Sequence, residues 1–339
     1  MMKQLSCVEP GCWKFQVVDV PKSKAGFALL KIRRIGICGT DLHAFDGTQP
    51  FFTYPRVLGH ELAGEIVDIE EHSVFKKGDW VTIIPYYACG NCRACQSGKT
   101  NCCTHLQVAG VHVDGGMVEY FQVPIDNLMK DPTLSLDEWA LVEPLAIGAH
   151  GIRRAQIKKG NRVLVVGAGP IGLGAVKMAQ IAGADVILMD VNAQRLAHVQ
   201  QKWGIHLAIN PLIEDALAIL QAYTDGQMPE VVIDATGNAK AIENSFQYMS
   251  HGGIFVLIGL QLQAISFSHP EFHKREGTLM SSRNATKEDF QHVIDAIKAG
   301  QINSTDFITH RLHFEDVPTE FPQLLDPKKG VIKAMISLD

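Results

Sequence analysis

Four side chains able to do chemistry lie within six positions of the chain: Cys38, Thr40, Asp41 and His43. They belong to the stretch GICGTDLHAFDG, which follows an apolar, strand-like run. A single cysteine at such a place often fills a core position, because free cysteine is among the most buried residue types. A thiol, a hydroxyl, a carboxylate and an imidazole this close together indicate a reactive site when other ligands accompany them.

Further donor residues occur later in the sequence. VLGHELAG contains His60 and Glu61, and VEPLAIGAH contains Glu143. A catalytic zinc site needs three protein ligands and one position left open for water or substrate. Cys38, His60 and Glu61 supply three ligands, and Glu143 is either a fourth ligand or a neighbour of the site. The alternative is a polar surface pair for His60 and Glu61, and an ordinary loop histidine for His43.

A second group of cysteines lies in the segment CGNCRACQSGKTNCC. It contains Cys89, Cys92 and Cys95, followed by the adjacent Cys102 and Cys103. Four thiolates around zinc form a closed, structural site with no open position, and the residues between these cysteines are too polar for core packing. The fourth ligand is Cys102 or Cys103, and the spacing does not choose between them. The alternatives are a reduced loop without metal and a [4Fe–4S] cluster, which also takes four cysteines.

The segment VLVVGAGPIGLG contains the pattern G-x-G-x-x-G between a predicted strand and a predicted helix. In that context the first glycine permits the tight turn, the second lets the backbone approach a pyrophosphate, and the third lets helix and strand pack closely. The free N–H groups at the helix start then face the phosphates. The predicted cofactor contacts in this turn are Gly167, Gly169, Pro170, Ile171 and Gly172.

Asp190 ends the next predicted strand, DVILMD. A carboxylate at this position accepts hydrogen bonds from the adenosine ribose and repels a 2′-phosphate, which predicts NAD rather than NADP. The alternative is that Asp190 only caps the following helix. Arg195 is either an adenine contact or a solvated helix residue. Thr236 and Ile258 follow later strands and are predicted cofactor neighbours, with plain turns as the alternative.

The chain has 339 residues, and a single core rarely grows beyond about 250–300 residues, so two domains are expected. Residues 1–147 read as short strands separated by turns, which predicts a β-rich, barrel-like domain. From about residue 160 strands alternate with helices, which predicts βαβ units and a parallel sheet. The boundaries are predicted near residues 148 and 285.

The net charge of −5 gives no bulk attraction to nucleic acid or to an anionic membrane. The N-terminal segment has no apolar core of a signal peptide, and glycines and a lysine interrupt the most apolar window, so no membrane span is expected. A tight cysteine cluster is more typical of metal binding in the cytosol than of disulfides. These observations predict a cytoplasmic protein.

The motifs GHE, CGTDLH, the cysteine loop and VGAGPIG together resemble the zinc-containing medium-chain dehydrogenase/reductase family. The resemblance implies an α/β protein in which a Rossmann domain, a doubly wound parallel sheet of residues 148–285, is joined to a GroES-like, β-rich catalytic domain of residues 1–147 and 286–339. It implies two zinc ions for each chain. One is structural and is held by Cys89, Cys92, Cys95 and Cys103; the other is catalytic and is held by Cys38, His60 and Glu61, with Glu143 close by.

The resemblance also suggests roles in catalysis. Zinc lowers the pKa of a substrate hydroxyl, and NAD accepts the hydride. Thr40 is predicted to accept the hydroxyl proton and pass it to the nicotinamide ribose, and His43 to carry it from there to solvent. Asp41 is predicted to hydrogen-bond the far ring nitrogen of His60 and so to fix the ligating tautomer.

The glutamates of GHE and VEPLA resemble those of the polyol dehydrogenase branch. YPRVLGHE, PEFHKRE and SSRNAT are similar to bacterial aldonate 5-dehydrogenases that act on L-galactonate or L-gulonate. Arg283 and Asn284, in SSRNAT, are predicted to bind the substrate, with Arg283 pairing with a sugar-acid carboxylate; contacts with the cofactor or with protein glutamates are the alternative.

The leading hypothesis is therefore NAD-dependent oxidation at C5 of a sugar acid. One alternative is a dehydrogenase of a neutral or phosphorylated polyol or of L-threonine. Another is an NAD-binding regulatory protein without turnover, against which the intact ligand set argues. The family resemblance further implies a homodimer or homotetramer formed through the edge of the Rossmann sheet.

Overall fold

The structure is a computed structural model that describes residues 1–22, 24–50 and 52–339. The strands are β1 Met2–Glu9, β2 Cys12–Val18, β3 Phe27–Ile37, β4 Arg56–Val57, β5 Glu61–Ile69, β6 Trp80–Ile83, β7 Tyr86–Tyr87, β8 Gln107–Val108, β9 Tyr120–Pro124, β10 Leu128–Met129, β11 Arg162–Val166, β12 Asp185–Met189, β13 Leu207–Ile209, β14 Val231–Asp234, β15 Ile254–Leu257, β16 Thr278–Ser281, β17 Ile308–His313 and β18 Lys333–Ser337. The helices are α1 Gly39–Asp46, α2 Arg93–Gln96, α3 Leu136–Arg154, α4 Pro170–Ile181, α5 Ala193–Trp203, α6 Ala216–Tyr223, α7 Ala239–Ser245, α8 His269–Lys274, α9 Lys287–Lys298 and α10 Val317–Glu320.

The chain divides into two compact units. The first consists of Met1–Pro144 and Thr286–Asp339, and the second of Leu145–Ala285. Within the described parts of the chain, no helix combines the length and the apolar character that crossing a membrane requires.

The first unit is built around a mainly antiparallel sheet with the order β10-β6-β5-β3-β18-β17, in which β9 also pairs with β3. The long strand β3 alternates between buried and partly exposed residues over much of its length, as expected for a sheet with one face on the core. Leu30, Ile32, Ile35 and Leu62 are fully buried in that core. The segment after α9, which the sequence suggested to be irregular, contributes β17 and β18 to this sheet.

The second unit is a six-stranded, wholly parallel sheet with the order β13-β12-β11-β14-β15-β16. Its central strands β11, β12 and β14 are almost continuously buried. That pattern is typical of parallel strands covered by helices on both faces. The predicted α/β fold class, with a doubly wound parallel sheet and a β-rich domain, is confirmed.

Candidate active site and metal centres

The first candidate metal site lies where β3 ends and β5 begins. Gly36 of β3 is paired with Glu61 of β5, so Cys38, two residues further along, comes next to His60. One ligand atom each from Cys38, His60 and Glu61 lies within 4.8 Å of the other two. The ladder between two distant segments thus brings together three residues that the sequence could only group by type.

The surroundings of these side chains suit a divalent cation. Glu61 is fully buried and His60 nearly so, and among the described residues His60 Nδ1 has no hydrogen-bond partner. Burial by itself would lower the pKa of His60, but the negative charges of Cys38 and Asp41 outweigh it, so this pKa lies well above its ordinary value. An enclosed group of a thiol, an imidazole and a carboxylate with surplus negative charge fits zinc.

Asp41 has a different role from the one predicted. Its Oδ1 is 3.9 Å from His60 Nδ1, which is too long for the expected hydrogen bond. Asp41 is instead fully buried and accepts the backbone N–H of Cys38 at 2.9 Å and that of Gly59 at 3.2 Å. It therefore ties the first turn of α1 to the residue before His60, and positions two candidate ligands through their backbone.

Thr40 and His43 lie three residues apart on α1, a spacing that places both on one side of a helix. Thr40 is half-buried and His43 is exposed. His43 Nδ1 is 2.9 Å from Thr48 Oγ1. A hydroxyl near Cys38 and an imidazole at the surface are thus carried by the same short helix.

Glu143 lies on α3 and is buried, but it is not part of the group of three ligand atoms. Its Oε1 accepts a hydrogen bond from Tyr86 Oη. Burial raises the pKa of Glu143 to about 7, and it also raises the pKa of Tyr86 well above its ordinary value. The structure thus places Glu143 beside the candidate ligands as a carboxylate held by a phenol. Tyr86 was missed in the sequence, where nothing distinguishes it from a core tyrosine.

Lys333 was also missed. It lies on β18, is 2% exposed, and its Nζ is 2.6 Å from both carboxylate oxygens of Glu61. Burial by itself would lower the pKa of Lys333, but the charge of Glu61 raises it above its ordinary value. Breaking a buried ion pair by removing one partner typically costs about 3–5 kcal/mol. A lysine near the C-terminus carries no local sequence signal, because only the sheet order brings it to Glu61.

The second candidate metal site consists of Cys89, Cys92, Cys95 and Cys103, with one ligand atom of each within 4.8 Å of the others. Cys103 is buried, and its Sγ lies 3.3 Å from the backbone nitrogens of Cys89 and His105. Cys102 is exposed and lies outside the group. The cluster resembles a structural zinc site, in which four thiolates leave no open position.

The Gly-rich turn lies between β11 and α4, as the motif requires. Gly167 has φ +107°, and a Cβ on Gly172 would overlap the carbonyl oxygen of Gly167. A Cβ on Gly169, in contrast, would have no heavy atom of the described residues within 4 Å. Pro170 is in the first turn of α4 and Ile171 follows it. The turn therefore has no room for a side chain at Gly172, whereas the space beside Gly169 is free of other atoms of the described residues. This arrangement suits a phosphate-binding loop.

Asp190 follows β12 and contacts this turn. Its Oδ2 accepts the N–H of Ala168, and its Oδ1 accepts that of Asn192 at 2.7 Å. The N-cap of α5 is Asn192, whose side chain accepts the N–H groups of Gln194 and Arg195. Asp190 is thus not the cap of that helix. Since a carboxylate has about four acceptor positions, two remain for ribose hydroxyls. Arg195 is half-buried in the first turn of α5.

The remaining candidate residues follow β14, β15 and β16 at their carboxyl ends, the edge at which dinucleotides bind. Thr236 lies 3.0 Å from the position of a Cβ on Gly167, and its Oγ1 donates to Asp234. Ile258 is half-buried after β15. Arg283 is exposed after β16. Asn284 adopts φ +50°, and its side-chain nitrogen is buried without a hydrogen-bond partner among the described residues.

Two family models match the chain: an alcohol dehydrogenase GroES-like domain over residues 24–133 and a zinc-binding dehydrogenase over residues 170–299. An L-galactonate-5-dehydrogenase from Escherichia coli is 44% identical over 99% of both chains. The crystal structure of an Escherichia coli alcohol dehydrogenase, RspB, with NADH has a TM-score of 0.91 at 30% identity and covers 99% of both chains. A putative zinc-binding dehydrogenase from Sinorhizobium meliloti bound to NADP has a TM-score of 0.92 at 29% identity, covering 100% of this chain and 99% of that one.

The chain belongs to the zinc-containing medium-chain dehydrogenase/reductase family. The predicted enzyme class, a zinc- and NAD-dependent alcohol dehydrogenase, is confirmed. The predicted resemblance to bacterial sugar-acid dehydrogenases is confirmed as well.

Proposed function

We propose that this enzyme oxidises the C5 hydroxyl of L-galactonate, or of its epimer L-gulonate, to the ketone with NAD as acceptor. The product is D-tagaturonate or D-fructuronate respectively. The observation that carries the proposal is the group formed by Cys38, His60 and Glu61, in a chain that also has the Gly-rich turn after β11. The sugar-acid part is supported by the 44% identity to an L-galactonate-5-dehydrogenase along nearly the whole chain.

When bound, zinc supplies a Lewis acid and NAD accepts the hydride. Cys38, His60 and Glu61 would hold the metal, and Glu143 borders it as a hydrogen-bonded neighbour. Thr40 Oγ1 would accept the proton of the substrate hydroxyl while its own hydroxyl proton passes to the nicotinamide ribose. His43, exposed on the same helix, passes a proton to solvent. Asp41 keeps the backbone of the turn in place throughout.

Asp190 selects NAD over NADP in this proposal. For Asp190→Asn, we expect the ratio of kcat/KM for NAD to that for NADP to fall about 10–100-fold. This factor corresponds to the free energy that a hydrogen bond to a charged group contributes. Asparagine keeps one carbonyl oxygen for the backbone but removes the charge that repels a 2′-phosphate. The ratio is measured from initial rates with each cofactor. Asp185→Asn, at the other end of β12, is the control, and an unchanged ratio in Asp190→Asn would reject this role.

The substrate is tested by NADH formation at 340 nm with zinc-loaded protein. The panel contains L-galactonate, L-gulonate, D-mannonate, sorbitol, galactitol, a polyol phosphate and L-threonine. We expect turnover with one aldonate and little with neutral polyols.

In Arg283→Ala, KM for that aldonate is expected to rise about 10–100-fold because a charged hydrogen bond to the carboxylate is lost. The residual turnover of a neutral polyol should stay unchanged.

The other outcomes separate the parts of the proposal. Turnover of only a polyol or L-threonine would retain the zinc-dependent hydride transfer and reject the sugar acid. No turnover in protein that holds two zinc ions would favour the regulatory alternative. Arg283→Lys keeps the charge and is the matched control; it should recover part of the affinity that alanine loses.

Assembly and compartment belong to the same proposal. β16 is an edge strand of the parallel sheet, and Leu279 on it and Leu260 in the preceding segment are exposed apolar residues. An unpaired edge with apolar side chains favours pairing with a second copy, so we propose a homodimer or homotetramer formed there. The eight cysteines are free of disulfides in the described residues, which supports a reducing, cytoplasmic location.

A further inference from the structure

The chain folds back on His43 where the short helix α1 ends. The helix ends at Asp46, and Gly47 follows in the left-handed conformation with φ +79°. The chain reverses there, so that the backbone N–H groups of Thr48 and Gln49 both donate to the carbonyl oxygen of His43, at 2.9 and 3.0 Å. A helix end of this kind is common where glycine follows the helix. It brings Thr48, five residues further along the chain, next to the imidazole.

The side chain of Thr48 makes a second contact with the same histidine. Its Oγ1 lies 2.9 Å from Nδ1 of His43. Because the backbone N–H of Thr48 is bonded to His43 as well, the two contacts close a small ring that limits the movement of the hydroxyl. The imidazole of His43 is exposed, yet it is held at one of its two ring nitrogens.

A hydroxyl at Nδ1 can determine which ring nitrogen carries the proton. A threonine hydroxyl has one donor and two acceptor positions, so Thr48 Oγ1 can accept the Nδ1–H of both the neutral and the protonated imidazole. In the neutral ring with its proton on Nδ1, the lone pair lies on Nε2. A proton can then arrive at Nε2 and leave again while the hydrogen bond to Thr48 stays in place.

We propose that Thr48 is a positioning residue that keeps the neutral imidazole of His43 in the tautomer with its proton on Nδ1, so that Nε2 accepts the relayed proton. This inference rests on the proposed function, in which His43 passes a proton to solvent. The hydrogen bond at one ring nitrogen sets which nitrogen is protonated. Without such a bond a neutral histidine prefers the proton on Nε2, which leaves no lone pair there for the relay.

The direct test is the ¹⁵N NMR spectrum of zinc-loaded protein with labelled histidine, recorded at alkaline pH. The chain has 14 histidines, so the signals of His43 are identified by their loss in His43→Gln. We expect the chemical shifts of the Nδ1–H tautomer in the wild-type protein and those of the Nε2–H tautomer in Thr48→Val. Thr48→Ser, which keeps the hydroxyl, should retain the wild-type tautomer.

The kinetic test is the rate of NADH formation in the first turnover, measured by stopped flow. For Thr48→Val we expect this rate to fall about 10-fold, because a hydrogen bond to the charged imidazolium is lost. KM should change little, because the hydroxyl does not contact the substrate. HEPES, a buffer that does not bind zinc, should restore part of the rate by accepting the proton directly.

Three further variants distinguish positioning of the imidazole from support of the helix end. Thr48→Ser should react at nearly the wild-type rate. In a His43→Gln background, Thr48→Val should have no further effect, since the two substitutions act on one interaction. Thr319→Val removes another exposed hydroxyl of the same unit, which donates to the carbonyl oxygen of Asp316 at 2.9 Å, and it should leave the rate unchanged.

The outcomes can be told apart. No turnover of any compound of the panel by the wild-type protein would reject the proposed function, whereas the NMR spectrum still reports the tautomer of His43. Normal turnover with the Nε2–H tautomer in the wild-type protein would reject this inference alone. A loss of rate in Thr48→Val that Thr48→Ser shares, or that persists in the His43→Gln background, would show mere support of α1 and would reject it too. If Thr48→Val does not fold, Thr48→Ala is measured by the same criteria.

Discussion

Replacing Cys38 by serine is expected to lower kcat/KM about 1,000-fold or more and to reduce the zinc content from two ions per chain to one. The serine hydroxyl stays protonated near neutral pH and is a poor zinc ligand, so the open site loses one of its three protein ligands. A Lewis acid contributes several kcal/mol to the transition state, and each 1.36 kcal/mol is a factor of about ten in rate. Initial rates and metal analysis by mass spectrometry measure both quantities.

Cys102→Ser is the matched control for this substitution. Cys102 is exposed and belongs to neither candidate metal group. This variant should keep both zinc ions and nearly the full rate. If Cys38→Ser retained two zinc ions and normal turnover, the assignment of the catalytic metal to the junction of β3 and β5 would be wrong.

Replacing Cys103 by serine is expected to remove the other zinc ion and to destabilise the first unit. A structural zinc contributes about 10–16 kcal/mol of binding free energy in small domains. The loop is only one part of this unit, so we expect a loss of about 5 kcal/mol, which lowers Tm by about 10–20 °C in a domain of this size. Thermal unfolding followed by circular dichroism, with zinc analysis, measures the effect.

Cys102→Ser is also the control for Cys103→Ser, because the two cysteines are adjacent in sequence but have different surroundings. Cys103 is 3% exposed and its Sγ faces the N–H of Cys89, whereas Cys102 is exposed. Cys102→Ser should change Tm by less than about 2 °C, as is usual for surface positions. A larger loss of Tm in Cys102→Ser than in Cys103→Ser would show that the fourth ligand is Cys102.

Some features could be predicted because their signal is local. The glycines of the turn after β11 are required by backbone geometry, and the run of buried residues in β11 and β12 indicates a parallel sheet. The three cysteines Cys89, Cys92 and Cys95 are close in sequence, so their spacing already indicates a metal loop. In each case the chemistry depends on residues within about one turn or one loop of each other.

The details of the reactive site were harder to predict. Asp41 was expected to orient His60 but holds the backbone of Cys38 and Gly59 instead. A carboxylate that begins a helix can bond either a nearby backbone N–H or a distant side chain, and the choice depends on distances that spacing does not give. Tyr86 and Lys333 were not predicted at all, because neither belongs to a motif.

The sequence by itself therefore predicts the two-domain organisation, the dinucleotide turn and the kinds of metal ligand, since each prediction depends on local periodicity, backbone freedom or donor chemistry. The tertiary structure alone decided which side chains surround Glu61. The order of β5, β3 and β18 places Gly36 between Glu61 and Lys333. Contacts between strands that are far apart in sequence follow from sheet order and register, and no local pattern of residues encodes them.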